Sequence, residues 1–485
     1  MKGLTTILIF CFGINFLLAQ PTLHWSEPDR VSDNSRGISS SRIGVLENGD
    51  PIIMWGNSNG RSIQLARVAG DTIQETLSVS AGGITPRFFS FAGLDLATHA
   101  DSVYIVFESS GSLYLSKSAD AGLSFYPPVL AFDPPDNKIA TLSSIVADDA
   151  GNPIISTLWE NANETEAKYV TIKSSDGGFT FDPFVVASDS ALGTYVCECC
   201  PSDMATIGDE IYLAFRNNTG SRRDIWVSKS VDGGQSYLEV ADVDDTDWQI
   251  NSCPISKPSI LEYGQDSLLV AFHSGASGKG RVYISQLDKS SMQATASFQM
   301  PLLNPSGSQE QPVLAGKGDT LCMVWIENGF SGTGSDLMFA YSVEGFAGLK
   351  NNFQKVKSLN QNQDFPEISY SRGVFHLIFE DNSGLHYIKG EPGDLTSYQN
   401  PLADPFDFKI YPQPAFYNQF WLSLEGDPTV PFQIDLFDVN GKLIQSWKDK
   451  SGNTLELQTT QNLKGVYYLN IAQGKKVGQK VVVFE

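Results

Sequence analysis

One eight-residue pattern occurs three times at an even interval. The copies are Ser118-Ala-Asp120-Ala-Gly122-Leu-Ser124-Phe125, Ser174-Ser-Asp176-Gly-Gly178-Phe-Thr180-Phe181 and Ser230-Val-Asp232-Gly-Gly234-Gln-Ser236-Tyr237. They start at 118, 174 and 230, so the spacing is 56 residues both times. A period of this size marks a repeat architecture, in which each unit buries its apolar face only against its neighbours. The octet carries turn chemistry: Asp and Ser bond to nearby backbone groups, and Gly supplies a positive φ. The closing aromatic is expected to pack under the hairpin. These residues therefore belong to the fold and not to catalysis. A worn copy, Ser342-Val-Glu344-Gly345, follows later.

Strand-like runs recur around each copy. The second run of each unit ends in an aromatic, at 51–55, 103–107, 154–159, 211–215, 268–272, 321–325 and 374–379. These runs are rich in Val, Ile, Leu and aromatics and bounded by Gly, Asn, Asp or Ser, as strands are. Seven units follow, with six as the alternative. The seventh lacks a fourth strand of its own, and the segment from His24 to Val31 reads like the strand that follows an octet. Supplied from the N-terminus, it would close the ring and leave no long free edge. The expected fold is an all-β propeller over residues 22–390.

The N-terminus reads as a signal peptide over 1–19: Lys2, an apolar run from Leu4 to Leu18, then Ala19 before Gln20. Cys11 follows Phe10, which does not suit lipid attachment. No second long apolar segment occurs, so no transmembrane segment is expected in the mature chain. A formal charge of −22 argues against nucleic acid and anionic membrane surfaces as partners, since both attract basic faces. The cysteines beyond the leader are Cys197, Cys199, Cys200, Cys253 and Cys322. Their odd number leaves at least one thiol outside any intramolecular disulfide.

From about Gly390 the composition turns to Pro, Asp and Gln, a linker over 391–407. Residues 408–485 read as a small β-sandwich domain. It opens with Phe408-Lys-Ile-Tyr-Pro-Gln-Pro-Ala415 and contains Asp438-Val-Asn-Gly441-Lys442 and Leu463-Lys-Gly465-Val-Tyr467 before a basic stretch, Lys475 to Lys480. This tail resembles the type IX secretion C-terminal sorting domains, with Gln413 where the family carries Asn. The resemblance implies the type IX secretion machinery as a partner and release from the cell or display on its outer surface. The octets, in turn, resemble the Asp boxes of the sialidase and BNR-repeat propellers, to which residues 22–390 are similar. Many proteins with such boxes are not enzymes, so the boxes imply fold more than activity.

In a propeller the octet turns lie on one face. The loop before strand one and the loop between strands two and three lie on the other, where ligands are usually bound. The residue just past each second run belongs there: Gly56, Glu108, Glu160, Arg216, His273, Glu327 and Glu380. Four carboxylates in that ring predict a negative rim. Cys197-Glu-Cys199-Cys200-Pro201 and Cys253-Pro254 precede the first strands of units four and five, so four thiols should converge near Arg216, Arg222, Arg223 and His273. Two disulfides, or a thiolate site for copper(I) or zinc with His273, both fit, with a redox role as a third reading. Sialidase chemistry would need three arginines around the substrate carboxylate. Ser41-Arg42-Ile43-Gly44 resembles that family's Arg-Ile-Pro start, with Gly44 in place of Pro, and Arg216 and Arg223 are further candidates. Arg372 falls in a turn expected on the octet face. The favoured expectation is an exported propeller that binds a ligand, a glycan being one candidate, on the cysteine-bearing face. The alternatives are an exo-glycosidase of sialidase type and a non-catalytic adhesion or scaffold protein.

Overall fold

A computed structural model describes residues 22–393 except 34–36, 162–165, 330–333 and 357–361, and residues 408–484 except 417, 425–429, 438–442 and 474–475. The expected signal peptide, most of the expected linker and the turn from Asp438 to Lys442 lie outside the described residues. Two compact units separate at Pro392–Gly393.

The first unit is a seven-bladed β-propeller. Six blades are built in sequence order, with innermost strands Ile38–Val45, Leu94–His99, Ile139–Ala147, Asp203–Ile207, Ser259–Tyr263 and Ser308–Lys317. The seventh has Asp364–Ser371, Val374–Asp381 and Gly384–Pro392, and its outer edge is completed from the N-terminus. Leu23–Trp25 and Asp29–Asp33 both pair antiparallel with Gly384–Pro392. This closure follows from edge physics: Gly384–Pro392 would otherwise expose a nine-residue row of unpaired backbone groups.

Second strands are buried on both faces because each blade packs between two others. Ser102–Ser109 is covered from its second residue to its last, and Pro51–Asn57 along its whole length. That explains why these runs read as continuously apolar instead of alternating. Ile52, Met54 and Leu65 of blade one pack on Leu94, Val103 and Phe107 of blade two, and the other seams are filled alike.

The octets close the hairpins between strands three and four of blades two, three and four. In the second copy, Ser174 Oγ accepts from Gly178 N at 2.7 Å, and Asp176 accepts from Thr180 N at 2.9 Å and from Thr180 Oγ1 at 2.7 Å. Those hydrogen bonds hold the Asp176 carboxyl down at about 2. The last glycine of each box sits at φ +77°, +91° or +90°, where a side chain would be strained. Arg372 lies at this same end, donating to the Glu47 carbonyl in the turn between the first two strands of blade one.

The second unit is an all-β domain of seven strands in the order Leu443–Lys450, Phe432–Phe437, Gly465–Gln473, Lys476–Phe484, Phe408–Phe416, Gln419–Leu424, Thr454–Gln458. Its core gathers Phe408, Phe420, Leu422, Ile434, Leu436, Leu469 and Phe484.

Candidate functional site

The residues of the expected acidic rim are not displayed. Glu108 and Glu327 are 1% and 0% exposed, and Glu160 is 5% exposed. Glu108 and Glu380 are taken up in seams between blades, accepting from Thr141 Oγ1 at 3.2 Å and from Ser41 Oγ at 2.8 Å. Glu327 accepts from Asn304 N, in the loop leading into its own blade, at 2.9 Å. Burial pushes Glu108 and Glu380 up to about 7, and Glu327 upward as well. Glu160 pairs in the ladder with Ile139 and Ala167 of the flanking strands. Gly56, the rim position of blade one, has the Phe88 ring where a Cβ would sit, 2.7 Å away.

The arginines are likewise committed to the protein. Arg216 is fully buried; it donates to the Arg223 carbonyl at 2.6 Å and to the His273 carbonyl at 2.7 Å, and lies over Trp248. Arg223 donates to Cys197 Sγ at 2.7 Å and lies 3.4 Å from Glu198. Arg222 pairs with Asp224 and Asp247. Arg42 donates from Nε to Asp95 at 2.9 Å, from Nη1 to the Ser41 carbonyl and from Nη2 to the Phe91 carbonyl, with Glu367 at 3.3 Å. Arg42, Arg216 and Arg223 thus present no shared guanidinium clamp for a substrate carboxylate. His273 is edge-on to Trp248, and burial, with Arg216 beside it, keeps it neutral down to about 3.

The cysteine loops meet as their positions before adjacent inner strands require. Cys199 and Cys253 are joined in a disulfide. Cys197 and Cys200 remain thiols, both fully buried, with their sulfurs 3.4 Å apart, and Cys322 is a third thiol inside blade six. The disulfide takes two of the four expected metal-ligating sulfurs. His273 does not belong to the group of sulfurs formed by Cys197, Cys199 and Cys200, all within 4.8 Å of one another.

Pro201 and Pro254, which follow Cys200 and Cys253, form part of the wall of a cavity of about 520 Å³ at the propeller centre. Innermost strands of all seven blades line it. Four carboxylates, Asp95, Asp203, Glu310 and Glu367, face two cations, Arg42 and Lys257, with Phe91, Phe365 and His273 among them. Lys257 lies 3.4 Å from Asp203. Burial raises the Asp203 and Glu310 carboxyls, whereas Arg42 and Lys257 are held above their usual range by neighbouring carboxylates despite burial.

Arg42, Asp95, Asp203 and Glu367 share one position in the repeat. Directly before Ile43, Leu96, Ile145, Met204, Ile260, Leu314 and Ile368, each a matched inner-strand residue, stand Arg42, Asp95, Ser144, Asp203, Ser259, Val313 and Glu367. Asp95, Asp203 and Ser259 each accept the backbone N–H of the matched residue in the next blade, at 3.0, 3.0 and 3.1 Å. In blades one, three, six and seven a bulge precedes this position, with Ser40, Leu142, Gln311 and Phe365 at positive φ. Of the cavity-lining charges, sequence reasoning found only Arg42. A charged residue opening an apolar first strand, as in Leu94-Asp95-Leu96 and Pro366-Glu367-Ile368, was the available signal.

Comparison with known proteins settles the tail. The family described as secretion system C-terminal sorting domain matches residues 409–485. Residues 409–485 are a secretion sorting domain. A sorting domain implies a secreted protein or one displayed at the outer membrane surface. Among the described residues no helix is long and apolar enough to cross a membrane. No curated protein matches the chain. Among solved structures, polysaccharide lyase Uly1 aligns at 10% identity and a TM-score of 0.48, over 76% of this chain and 93% of that one. An ulvan lyase aligns at 11% and 0.46, over 74% and 95%. The α-L-arabinofuranosidase Arb93A from Fusarium graminearum aligns at 12% and 0.39, over 76% and 97%.

Proposed function

We propose that this chain is an exported ligand-binding propeller whose central cavity holds a neutral carbohydrate, with the cysteine-clamped loops as part of the wall. The observation that carries the reading is the cavity itself, about 520 Å³ with carboxylates interleaved with aromatic side chains. Sites of this size that combine apolar surface with a few fixed polar groups hold small ligands. Carboxylates accept hydrogen bonds from hydroxyl groups and repel anions, which favours a neutral sugar over an anionic one. The engaged arginines weigh against sialidase-type chemistry for the same reason: the substrate carboxylate would have to displace Asp95, Glu367 and two backbone carbonyls from Arg42. A non-catalytic role is therefore favoured over the exo-glycosidase.

Calorimetric titration of the purified chain with a panel of neutral and acidic oligosaccharides tests this. Binding of a neutral member, weakened at least about tenfold in Glu310→Gln or Phe91→Ala, is the expected result. Binding confined to acidic sugars, turnover of a fluorogenic sialoside, or no binding across the panel would overturn it.

A further inference from the structure

We propose that Cys197 and Cys200 form a reversible dithiol–disulfide couple that exchanges with the Cys199–Cys253 disulfide, making the two loops a two-stage redox relay. Four sulfurs lie in two tiers. The inner pair is fully buried, whereas Cys199 and Cys253 are partly exposed. Cys197 Sγ stands 3.4 Å from Cys200 Sγ and 3.5 Å from Cys199 Sγ, so it touches both its own partner and the outer bond. A reagent from solution reaches the outer pair first, and the inner pair only through it.

Its contact with Cys199 Sγ, with Arg223 alongside, favours Cys197 as the attacking sulfur. Arg223 Nη1 donates to Cys197 Sγ at 2.7 Å, and its Nε and Nη2 are held by the Ile250 carbonyl and Glu198. The backbone of Cys197 is fixed in turn, its N–H donating to the Arg216 carbonyl at 2.8 Å. A guanidinium beside a sulfur stabilises thiolate, the reactive form. Two buried thiolates 3.4 Å apart would repel, so the pair shares one proton, which Cys197 Sγ donates to Cys200 Sγ at rest. Cys197 becomes the attacking thiolate when that proton passes to Cys200, and Arg223 then stabilises the charge left on Cys197.

Each step balances. The Cys197 thiolate attacks Cys199 Sγ; the Cys199–Cys253 bond breaks, and Cys253 leaves as the thiolate. Cys200, after losing its proton to Cys253, then attacks Cys197 Sγ and expels Cys199. One disulfide and two thiols exist before and after, so exchange alone neither oxidises nor reduces the protein. A small disulfide in the surroundings then takes two electrons from Cys199 and Cys253, becoming two thiols and restoring the outer bond. A dithiol reductant drives the sequence backward.

The test equilibrates the purified full chain in buffers of graded oxidised-to-reduced dithiothreitol. Acid quenching, unfolding, alkylation and peptide mass mapping then report each cysteine. Two successive two-thiol transitions are expected, with Cys322 a thiol throughout. Cys199→Ser/Cys253→Ser should slow oxidation of the inner pair by about tenfold or more, because the entry point is gone. Arg223→Met leaves all sulfurs in place and should slow exchange by a similar factor, which keeps the proposal testable if the serine variant folds poorly. Cys200→Ser should trap a Cys197–Cys199 bond with Cys253 free. Persistence of Cys197 and Cys200 as thiols in the most oxidising buffer overturns the proposal. So does an unchanged oxidation rate in both the serine variant and Arg223→Met, or a copper or zinc ion copurifying at one equivalent and shielding the inner pair.

Discussion

The two ends of the propeller solve the same problem, joining antiparallel strands, by opposite means. At the octet end the side-chain bonds are mostly within each turn: Ser118, Asp120 and Ser124 bond within seven residues of one another. Contacts between blades, such as Arg372 to the Glu47 carbonyl, are added at the edges. At the cysteine-bearing end and in the channel below it, the partners come from other blades. Arg42 of blade one is held by Asp95 of blade two and Glu367 of blade seven, and the loops of blades four and five are tied covalently. Self-contained turns can be repeated without regard to context. Cross-blade contacts vary from seam to seam, and the central cavity with its mixed charge lies among them.

The sharpest way to break this comparison is Arg42→Ala. Removing the cation strands the buried Asp95 and the partly buried Glu367, a loss of about 3 kcal/mol by analogy with other severed buried pairs. Urea unfolding of the purified chain should show it as a lower midpoint; a loss below about 1 kcal/mol would mean that the channel charges are not held by one another.

A smaller effect is expected at Glu108, which burial pushes from 4.5 to about 7. In the window between those values the native chain keeps a proton that the unfolded chain has released. Its contribution to stability is therefore complete below pH 4.5 and is lost as pH rises through 7. Glu108→Gln should match the parent near pH 4 and exceed it at pH 8 by on the order of 2 kcal/mol. His273 gives the opposite slope, gaining stability as pH rises from about 3 toward 6.5, but it is common to both chains and cancels in the difference. Parallel pH profiles for the two chains would show that Glu108 is ionised in the fold.

The least costly change should be Asp120→Ala, which removes exposed hydrogen bonds from a single turn. About 1 kcal/mol is expected, with the other boxes untouched. Hydrogen exchange confined to 118–125 would confirm the turn as independent; protection lost in neighbouring blades would show that the boxes are coupled after all.

Much of this fold was legible because its signals are local. A box needs only eight consecutive residues, and an interval of 56 residues fixes the blade size. The closing strand at Leu23–Trp25 was readable because the seventh unit lacked a partner within its own stretch. The site was legible only in part. Placing Glu108, Glu327 and Glu380 just past their second strands was enough to put them at one end, but not to tell that Thr141, Asn304 and Ser41 would hydrogen-bond to them. Nor does spacing reveal bulges at Ser40 and Phe365, since both residues are ordinary in composition and unusual only in φ.

Sequence alone therefore determined the repeat, the turn chemistry and the sorting tail, all of which depend on residues close together in the chain. Tertiary structure decided which cysteines bond, which thiols stay buried and which charges face the cavity. Those outcomes depend on distances between blades, and such distances exist only once seven sheets have closed into a ring.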